Sequence, residues 1–391
     1  MTHRRSFLTG LGAGLVLSAA GATASFAGSS TAGRGQFVLV ILRGAMDGLA
    51  AVPPVGDRQY RDLRGALALE AAGAPDGVLP LADGFGLHPA LSGLHDLWAA
   101  RELSVMHACA TPYRDRSHFD GQDVLEGGTD RLFATSGWLG RSLGLLSGTG
   151  PAVAGVAIAR TIPLVLRGAA GASSWTPGVA PDADPEMLAR LMDLYADDPL
   201  LGPALARAVE TDAIADGMTG STSGRGGRGG ANGAYVPIAQ AAARILSAPE
   251  APAAAVLSFD GWDTHANQGA GRGLLAGRLQ ALDQALTALR TGLGPRWERT
   301  AVVVATEFGR TVRVNGTGGT DHGTGGAAFA LGGAMAGLGG LTGDWPGLSR
   351  LYQDRDLTPA NDIRTLFATA MEAAWGLPRE SVLREVFAAR T

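Results

Sequence analysis

The chain has 391 residues, of which 46% are hydrophobic and 17% charged, so it can bury one large α/β core or two smaller ones. All 32 basic residues are arginine, which excludes enzymes that need a Schiff-base lysine and nucleotide triphosphatases that need a phosphate-loop lysine. The net charge of −4, without a basic stripe interleaved with aromatic residues, gives no support for nucleic-acid binding.

The N-terminus has the features of a bacterial export signal. The motif Arg4-Arg-Ser-Phe-Leu8 is typical of the twin-arginine route, and an apolar stretch too short to span a membrane continues to Ala20. Small residues suited to cleavage end at Ala24 and Ala27. We expect residues 1–27 to be a signal peptide and the mature protein, without a membrane span, to be periplasmic or secreted. The alternative is an ordinary cytosolic N-terminal helix.

Strands and helices alternate along the rest of the chain. The first strand, Gln36–Leu42, is an unbroken apolar run, as expected where a strand is buried on both faces of a sheet. The apolar spacing then predicts helix His88–Leu103, strand Leu103–Ala108, helix Pro237–Leu246, strand Ala253–Phe259, helix Gly273–Gly292, strand Thr300–Ala305, strand Ala327–Leu331 and a helical C-terminal stretch capped by Thr358 or Asn361.

This alternation predicts a single α/β domain over residues 36–391, with a mostly parallel central sheet flanked by helices on both faces. The glycine-rich segment 217–233 is predicted to be a flexible loop within that domain. The single cysteine, Cys109, cannot form an intramolecular disulfide, so folding needs no oxidising compartment. That property agrees with export of a protein that is already folded.

Ionisable residues lie directly beside the ends of several predicted strands. Asp47 follows the first strand, Asp263 and His265 follow the third, Glu307 follows the fourth, and His322 precedes the fifth. Because the carboxyl ends of parallel strands meet at one edge of a sheet, we expect these groups to converge there. Carboxylates and imidazoles crowded together are costly unless a cation neutralises them, so the sequence predicts a divalent metal.

Each of these residues also has an ordinary structural interpretation. Asp47 could be a helix N-cap, Glu307 could form a local salt bridge with Arg310, and His322 could lie in a turn. An Asp-x-His sequence such as Asp263 to His265 is common in loops that bind nothing. The joint occurrence of these groups at strand ends is what favours a metal site.

Five motifs together resemble a large family of exported bacterial proteins. They are Leu42–Leu49, Arg116–Glu126, Gly261–Gln268, Thr306–Arg310 and Thr320–Gly323. That family is classed as a domain of unknown function in the alkaline phosphatase and sulfatase superfamily. The resemblance extends from Gln36 to the C-terminus and implies an alkaline phosphatase/sulfatase-like α/β fold.

The resemblance also implies an exported metal-dependent hydrolase of small or polymeric phosphate or sulfate esters. Proteins of the superfamily take a metal-binding aspartate from the end of the first strand, which matches Asp47. They place a nucleophile at a helix N-terminus, which matches Ser117, although a metal-bound water could act instead. They bind one metal through a close Asp and His, here Asp263 and His265, and complete a site with a histidine that matches His322.

The remaining catalytic positions follow from the same resemblance. His118 lies beside Ser117, and Arg116 or Arg310, with Arg43 as a further candidate, would neutralise substrate oxygens through bidentate contacts. Carboxylate and imidazole ligands together favour Zn²⁺ as the metal, with Mn²⁺ and Ca²⁺ as alternatives.

One departure from the superfamily pattern concerns the second metal site. Glu307 and Phe308 stand where an Asp-His pair is expected, and phenylalanine cannot replace a histidine ligand. We therefore expect one metal rather than two, with His118 or Asp120 as residues that could compensate. Phe308 is also the feature that favours an alternative function, a non-catalytic binding or assembly protein that keeps the fold and part of the metal site.

A sulfatase-type modified cysteine is not expected. That modification needs a Cys-x-Pro-x-Arg sequence. Here Pro112 and Arg114 each lie one position further from Cys109 than this sequence requires. A buried, inert Cys109 is the simpler interpretation. A redox protein is a weaker alternative still, since the sequence has no set of cysteine ligands and no dinucleotide fingerprint after the first strand.

Overall fold

The structure is a computed structural model that describes residues 34–146, 154–176, 192, 194–195, 198, 201–207 and 234–387. The predicted signal peptide and the glycine-rich segment 217–233 lie outside the described residues. The expectations for these two segments therefore stay predictions.

The described residues contain the strands of a central sheet and one small separate pair. The strands are β1 (Gln36–Arg43), β2 (Leu79–Pro80), β3 (Gly86–Leu87), β4 (Leu103–Ala110), β5 (Gly155–Ile158), β6 (Ala172–Trp175), β7 (Ala254–Asp260), β8 (Thr300–Ala305), β9 (Gly326–Leu331), β10 (Gly340–Thr342) and β11 (Asn361–Asp362). The main sheet has the order β10-β4-β9-β8-β1-β7-β5-β6, with β11 paired to β4, while β2 and β3 pair only with each other. Pairing in this sheet is parallel except that β9 runs antiparallel to β4 and β8.

Helices cover both faces of the sheet. In the described residues they are α1 (Gly48–Ala51), α2 (Tyr60–Arg64), α3 (Ser92–Ala99), α4 (His118–Gly127), α5 (Trp138–Leu145), α6 (Tyr235–Ser247), α7 (Leu274–Leu293), α8 (Ile363–Trp375) and α9 (Arg379–Glu385). Residues of α3, α6 and α7 form one hydrophobic core, and residues of α5, α8 and α9 form the other. Among these residues, no helix is long and apolar enough to cross a membrane.

The central strand β1 contributes to both cores. Val38, Val40 and Leu42 belong to one core, whereas Phe37 and the other alternate side chains belong to the second. Successive side chains of a strand point to opposite faces, so a strand covered on both sides needs apolar residues at every position. The unbroken apolar run is explained in this way, and the predicted mostly parallel α/β architecture is confirmed.

Two sequence-based boundaries need correction. The helix predicted over His88–Leu103 is shorter, since α3 spans Ser92–Ala99. The C-terminal helix α8 is capped by Asp362, whose carboxylate accepts the backbone N–H of Arg364, and not by Thr358 or Asn361. The Asn361 amide is engaged elsewhere, because it donates to the carbonyls of His107 and Asp344.

The reversed direction of β9 decides where the site forms. Since β4, β8, β1 and β7 are parallel to one another and β9 is antiparallel to its neighbours, β9 begins at the edge where the other four end. A residue just before β9, such as His322, therefore reaches the same edge as residues that follow β4 and β7. The topology brings chain segments more than a hundred residues apart together at this edge.

Candidate metal centre

Three imidazoles and one carboxylate meet at this edge of the sheet. The four-residue cluster consists of His118, Asp263, His265 and His322. His322 Nε2 lies 3.0 Å from His118 Nε2 and 3.0 Å from His265 Nε2. Asp263 Oδ1 lies 3.2 Å from His322 Nε2 and 3.0 Å from His265 Nε2, and Asp263 Oδ2 lies 3.4 Å from His118 Nε2. Potential metal-ligating atoms of His118, Asp263 and His322 therefore lie close together, with His265 beside them.

The other ring nitrogen of each imidazole faces an oxygen atom. The partners of Nδ1 are Glu307 Oε1 for His118 (2.8 Å), Asp321 Oδ1 for His265 (3.1 Å) and the Arg116 carbonyl for His322 (3.0 Å). Carboxylate and carbonyl oxygens only accept hydrogen bonds, so each ring can donate from Nδ1 and leave the lone pair of Nε2 for a cation.

The donor set fits a divalent ion such as Zn²⁺. Four ligand atoms at tetrahedral positions around Zn²⁺, each about 2.0–2.2 Å from it, lie roughly 3.3–3.6 Å apart. The contacts of His322 and Asp263 with the other rings run from 3.0 to 3.4 Å. The group whose ligand atoms all lie within 4.8 Å of one another consists of His118, Asp263 and His322. His265 lies beside this group, with its Nε2 3.0 Å from His322 Nε2 and from Asp263 Oδ1. Imidazole donors suit Zn²⁺ or Mn²⁺ better than Ca²⁺, which prefers oxygen.

Arg310 supports the carboxylate of the cluster. Its side chain is buried, and its Nη1 lies 2.5 Å from Asp263 Oδ1 while the rest of the guanidinium donates to Thr320. Burial by itself raises the pKa of Asp263, but the hydrogen bond and charge of Arg310 outweigh it, so the pKa of Asp263 lies below its ordinary value. Asp263 is therefore ionised at neutral pH, as a metal ligand must be.

The imidazoles of the cluster differ in their proton affinity. The hydrogen bond that His118 makes to Glu307 raises the pKa of His118 above its ordinary value, against the opposing effect of burial. Burial lowers the pKa of His322, and the neighbouring His118 lowers it further. A positive charge on His118 thus disfavours one on His322.

Close packing of backbone around the cluster requires glycine at two positions. A Cβ on Gly309 would lie 1.9 Å from the Gly325 carbonyl oxygen, and a Cβ on Gly323 would lie 2.4 Å from the Arg310 backbone. The two segments are also joined by the hydrogen bonds Gly309 N to Thr324 O and Gly323 N to Gly309 O. The glycines in Thr306–Arg310 and Thr320–Gly323 therefore let these two segments pack together and place their side chains at the site.

Asp47 and Glu307 do not lie among the converging ligand atoms. Asp47 is the N-cap of α1, and its Oδ2 accepts from Arg64 Nη2 at 2.5 Å and Gln268 Nε2 at 2.7 Å. Glu307 is buried one step behind the cluster, where its Oε1 accepts from His118 and also from the backbone of Gly44. Both carboxylates are thus satisfied by hydrogen bonds within the protein.

The predicted catalytic residues are also placed by the structure. His118 belongs to the cluster, where it is a candidate metal ligand. The Arg116 guanidinium is directed to Asp356 (Nε to Oδ2, 2.9 Å) and Gln353, so it is committed away from the cluster. Ser117 occupies the N-cap position of α4 and makes no side-chain cap bond, while its backbone N–H donates to the Tyr113 hydroxyl.

Several supporting residues escaped the sequence analysis. Asp321 stands next to His322, and only the fold reveals that its carboxylate holds His265 instead. Asn315 donates to Asp321, and that hydrogen bond keeps the pKa of Asp321 below its usual value. Arg64, fully buried on a short helix, has no sequence signal that could have identified it as the partner of Asp47.

Most of the chain matches one known protein family. Residues 97–387 match the family described as "Protein of unknown function (DUF1501)". The chain belongs to that family. The family predicted from the five motifs is therefore confirmed. A search of curated proteins found no match.

Solved structures similar to the DUF1501 chain come from alkaline phosphatase- and sulfatase-like proteins. Ps i-CgsB in complex with a neocarrahexaose has 10% identity and a TM-score of 0.39, and the match covers 87% of this chain and 72% of that one. A TAB5 alkaline phosphatase variant with Mg bound in its M3 site has 14% identity and a TM-score of 0.38, and the match covers 88% of this chain and 98% of that one. The periplasmic domain of EcEptC from Escherichia coli, in complex with Zn, has 11% identity, a TM-score of 0.35 and coverage of 89% and 84%. Likeness at this level does not support a shared activity.

Proposed function

We propose that the protein is an exported, single-metal hydrolase of phosphate or sulfate esters. The observation that carries this proposal is the convergence of three imidazole Nε2 atoms and the Asp263 carboxylate, with each Nδ1 anchored by an oxygen. A divalent cation bound there would supply a Lewis acid that neutralises charge on ester oxygens. Oxygen acceptors behind the ligating histidines are typical of sites that bind metal tightly.

Helix α4 supports the proposal because it begins at the cluster. The first-turn N–H groups of His118, Phe119 and Asp120 have no acceptor within the helix, and the Ser117 side chain does not accept from them. Free N–H groups and the positive end of the helix dipole favour an anionic ester at this position. Ser117, which directly precedes the ligating His118, is the proposed nucleophile.

The two arginines predicted to contact substrate are assigned supporting roles in this proposal. Arg116 is paired with Asp356, and its carbonyl fixes the ring of His322. Arg310 is buried and paired with Asp263. Both residues hold ligands of the cluster in place, and neither guanidinium is free to clamp an ester oxygen.

The first experiment combines metal analysis with activity. Protein purified without chelator is expected to carry about one Zn²⁺ or Mn²⁺ per chain and to hydrolyse nitrophenyl phosphate or nitrophenyl sulfate. His322→Ala should lose both properties, and Ser117→Ala should keep the metal and lose turnover. His95→Ala is the matched control, because His95 bonds only the Pro80 carbonyl outside the cluster. Protein that binds no metal and hydrolyses neither ester would contradict the proposal.

A second candidate is a binding or assembly protein with a structural metal. The observation that favours it is the fourth donor, His265, since structural zinc sites are closed by four protein ligands and catalytic sites keep one position open. His265→Ala distinguishes the two functions. Metal retention with continued turnover supports the hydrolase, whereas metal loss with falling thermal stability and no measurable turnover in the parent protein supports the structural metal.

We propose export by the twin-arginine machinery from the N-terminal motif. Its test is a double substitution of Arg4 and Arg5 by lysine, with fractionation of a bacterial host. Uncleaved precursor should accumulate in the cytoplasm, whereas the parent chain should appear in the periplasm in its mature form. Export that is unaffected by the substitution would contradict this route.

A further inference from the structure

Helix α4 connects the metal cluster to a neighbouring cavity of about 430 Å³. Phe119, Gln122, Asp123 and Glu126 line this cavity, and their spacing of three, four and seven positions places them on one face of the helix. The helix begins at His118, so the lined face starts at the residue that follows a candidate metal ligand.

The charges of the cavity argue against an anionic ligand. Two guanidinium groups, of Arg43 and Arg167, face three carboxylates, of Asp123, Glu126 and Asp260. Arg43 and Glu126 neutralise one another at 2.7 Å, and Asp123 accepts the backbone N–H of Phe133. A second phosphate or sulfate would be repelled by the carboxylate excess. A neutral ligand rich in hydroxyl groups would instead find both donors and acceptors.

Two of the polar groups remain available for such a ligand. In the part of the chain that the structure describes, the side chains of Arg167 and Asp260 make no hydrogen bond or ion pair. Arg167 is exposed, and so is Asp260. A guanidinium and a carboxylate together can bond vicinal hydroxyls, because one only donates and the other only accepts.

Two exposed aromatic residues are associated with this cavity, Phe119 in its lining and Phe133 through a backbone hydrogen bond to the lining residue Asp123. Phe119 is 90% exposed and Phe133 is 87% exposed. Phe133 adopts a left-handed backbone conformation (φ 61°), which is uncommon for a non-glycine residue, and Asp123 on α4 holds its N–H. Exposed apolar rings at fixed positions are costly in water, and they suit a ligand with an apolar face. The C–H face of a pyranose ring has this property.

The cavity is also linked to the cluster by hydrogen bonds. Arg43 Nη1 donates to Gln122 Oε1 at 2.6 Å, and Gln122 Nε2 donates to Glu307 Oε1 at 3.2 Å. The same Glu307 oxygen accepts from His118. Occupation of the cavity would therefore contact residues that position a metal-ligating histidine.

We propose that this cavity is a subsite for a neutral sugar residue, so that the substrate is an ester carried on a saccharide. This inference rests on the proposed hydrolase function, with the charged ester at the cluster and the uncharged ring against Phe119 and Phe133. Arg167 and Asp260 bond the ring hydroxyls.

Binding to the metal-loaded full chain tests the subsite independently of turnover. The probes are neutral hexasaccharides of glucan, galactan, mannan and xylan, measured by saturation-transfer NMR and calorimetry. At least one should bind, and Phe119→Ala or Arg167→Ala should weaken it by roughly 2–10-fold, since the first removes a stacking surface and the second a hydrogen-bond donor. Leu338→Ala, a change at an exposed hydrophobic side chain outside the cavity lining, is the matched control and should leave binding unchanged.

The outcomes separate this inference from the proposed function. Saccharide binding that depends on Phe119, without hydrolysis of any ester, supports the subsite and contradicts the hydrolase. Hydrolysis of nitrophenyl esters with no saccharide bound supports the hydrolase and overturns the subsite. Saccharide binding that is insensitive to both substitutions also overturns it, because the ligand then binds elsewhere.

Discussion

Phe308 lies flat against the imidazole of His118, with ring centroids 5.0 Å apart and an angle of 26° between the planes. The same phenyl ring is 5.3 Å from His322. The phenyl ring therefore packs against two of the candidate ligand rings and can help to orient them.

Phe308→Ala should weaken both folding and metal binding. The side chain is buried, so its removal should lower the free energy of unfolding by about 3–5 kcal/mol. Loss of the ring that supports His118 should also lower metal affinity, measured by competition with a chromogenic chelator. Phe387→Ala is the control, because that ring is buried in the core of α5, α8 and α9 and should cost stability alone. Equal metal affinity in the two variants would contradict a positioning role for Phe308.

Glu307→Gln should reduce metal affinity without removing a ligand. The substitution keeps the shape of the side chain and removes the charge that faces His118 Nδ1 at 2.8 Å. Loss of such a supporting group typically costs about 10–100-fold in metal affinity. The matched control is Asp283→Asn, since Asp283 is also a mostly buried carboxylate but accepts from the backbone of Gly93 and Leu94. If Glu307→Gln abolishes metal binding completely, Glu307 is a ligand and the assignment fails.

Asp47→Asn should destabilise the fold and leave the metal in place. The change removes the partner of the fully buried Arg64, and an uncompensated buried charge costs about 3–5 kcal/mol. Urea unfolding measures the stability, and elemental analysis measures the metal. Adding Arg64→Met should recover part of the loss. Stoichiometric metal loss at native stability would instead identify Asp47 as a ligand.

Cys109 should be unreactive while the protein is folded. Burial raises the pKa of its thiol to about 12, so almost no thiolate exists at mildly alkaline pH. Iodoacetamide should therefore modify Cys109 only after unfolding in guanidinium chloride, as followed by intact mass. Rapid labelling of the native protein would show that the thiol reaches solvent and that its assignment as an inert core residue is wrong.

The strands and the central part of the site could be predicted because local patterns determine them. The apolar run of β1 indicates burial on both faces, and Asp263, His265 and His322 stand beside strand ends where the topology must gather them. The N-cap of α8 is Asp362, one residue after the predicted Asn361. Both residue types are good N-caps, and only tertiary contacts determine which of the two caps the helix.

The remaining site residues depend on long-range pairing that has no local pattern. Asp47 resembles a ligand at the end of β1, but the buried Arg64 engages its carboxylate. Glu307 follows β8 as predicted, but its side chain is buried and contacts Nδ1 of His118 instead of joining the ligand atoms. The role of His118 as a ligand depends on β4 ending beside the start of the antiparallel β9, and neither strand reveals this alone.

The most direct test of the account is a crystal structure of chelator-free protein with anomalous diffraction measured across the zinc and manganese edges. One anomalous peak is expected, bonded to the Nε2 atoms of His118 and His322 and to an oxygen of Asp263. A peak between Asp47 and Glu307, or metal-soaked crystals with no peak in the four-residue cluster, would contradict the central claim.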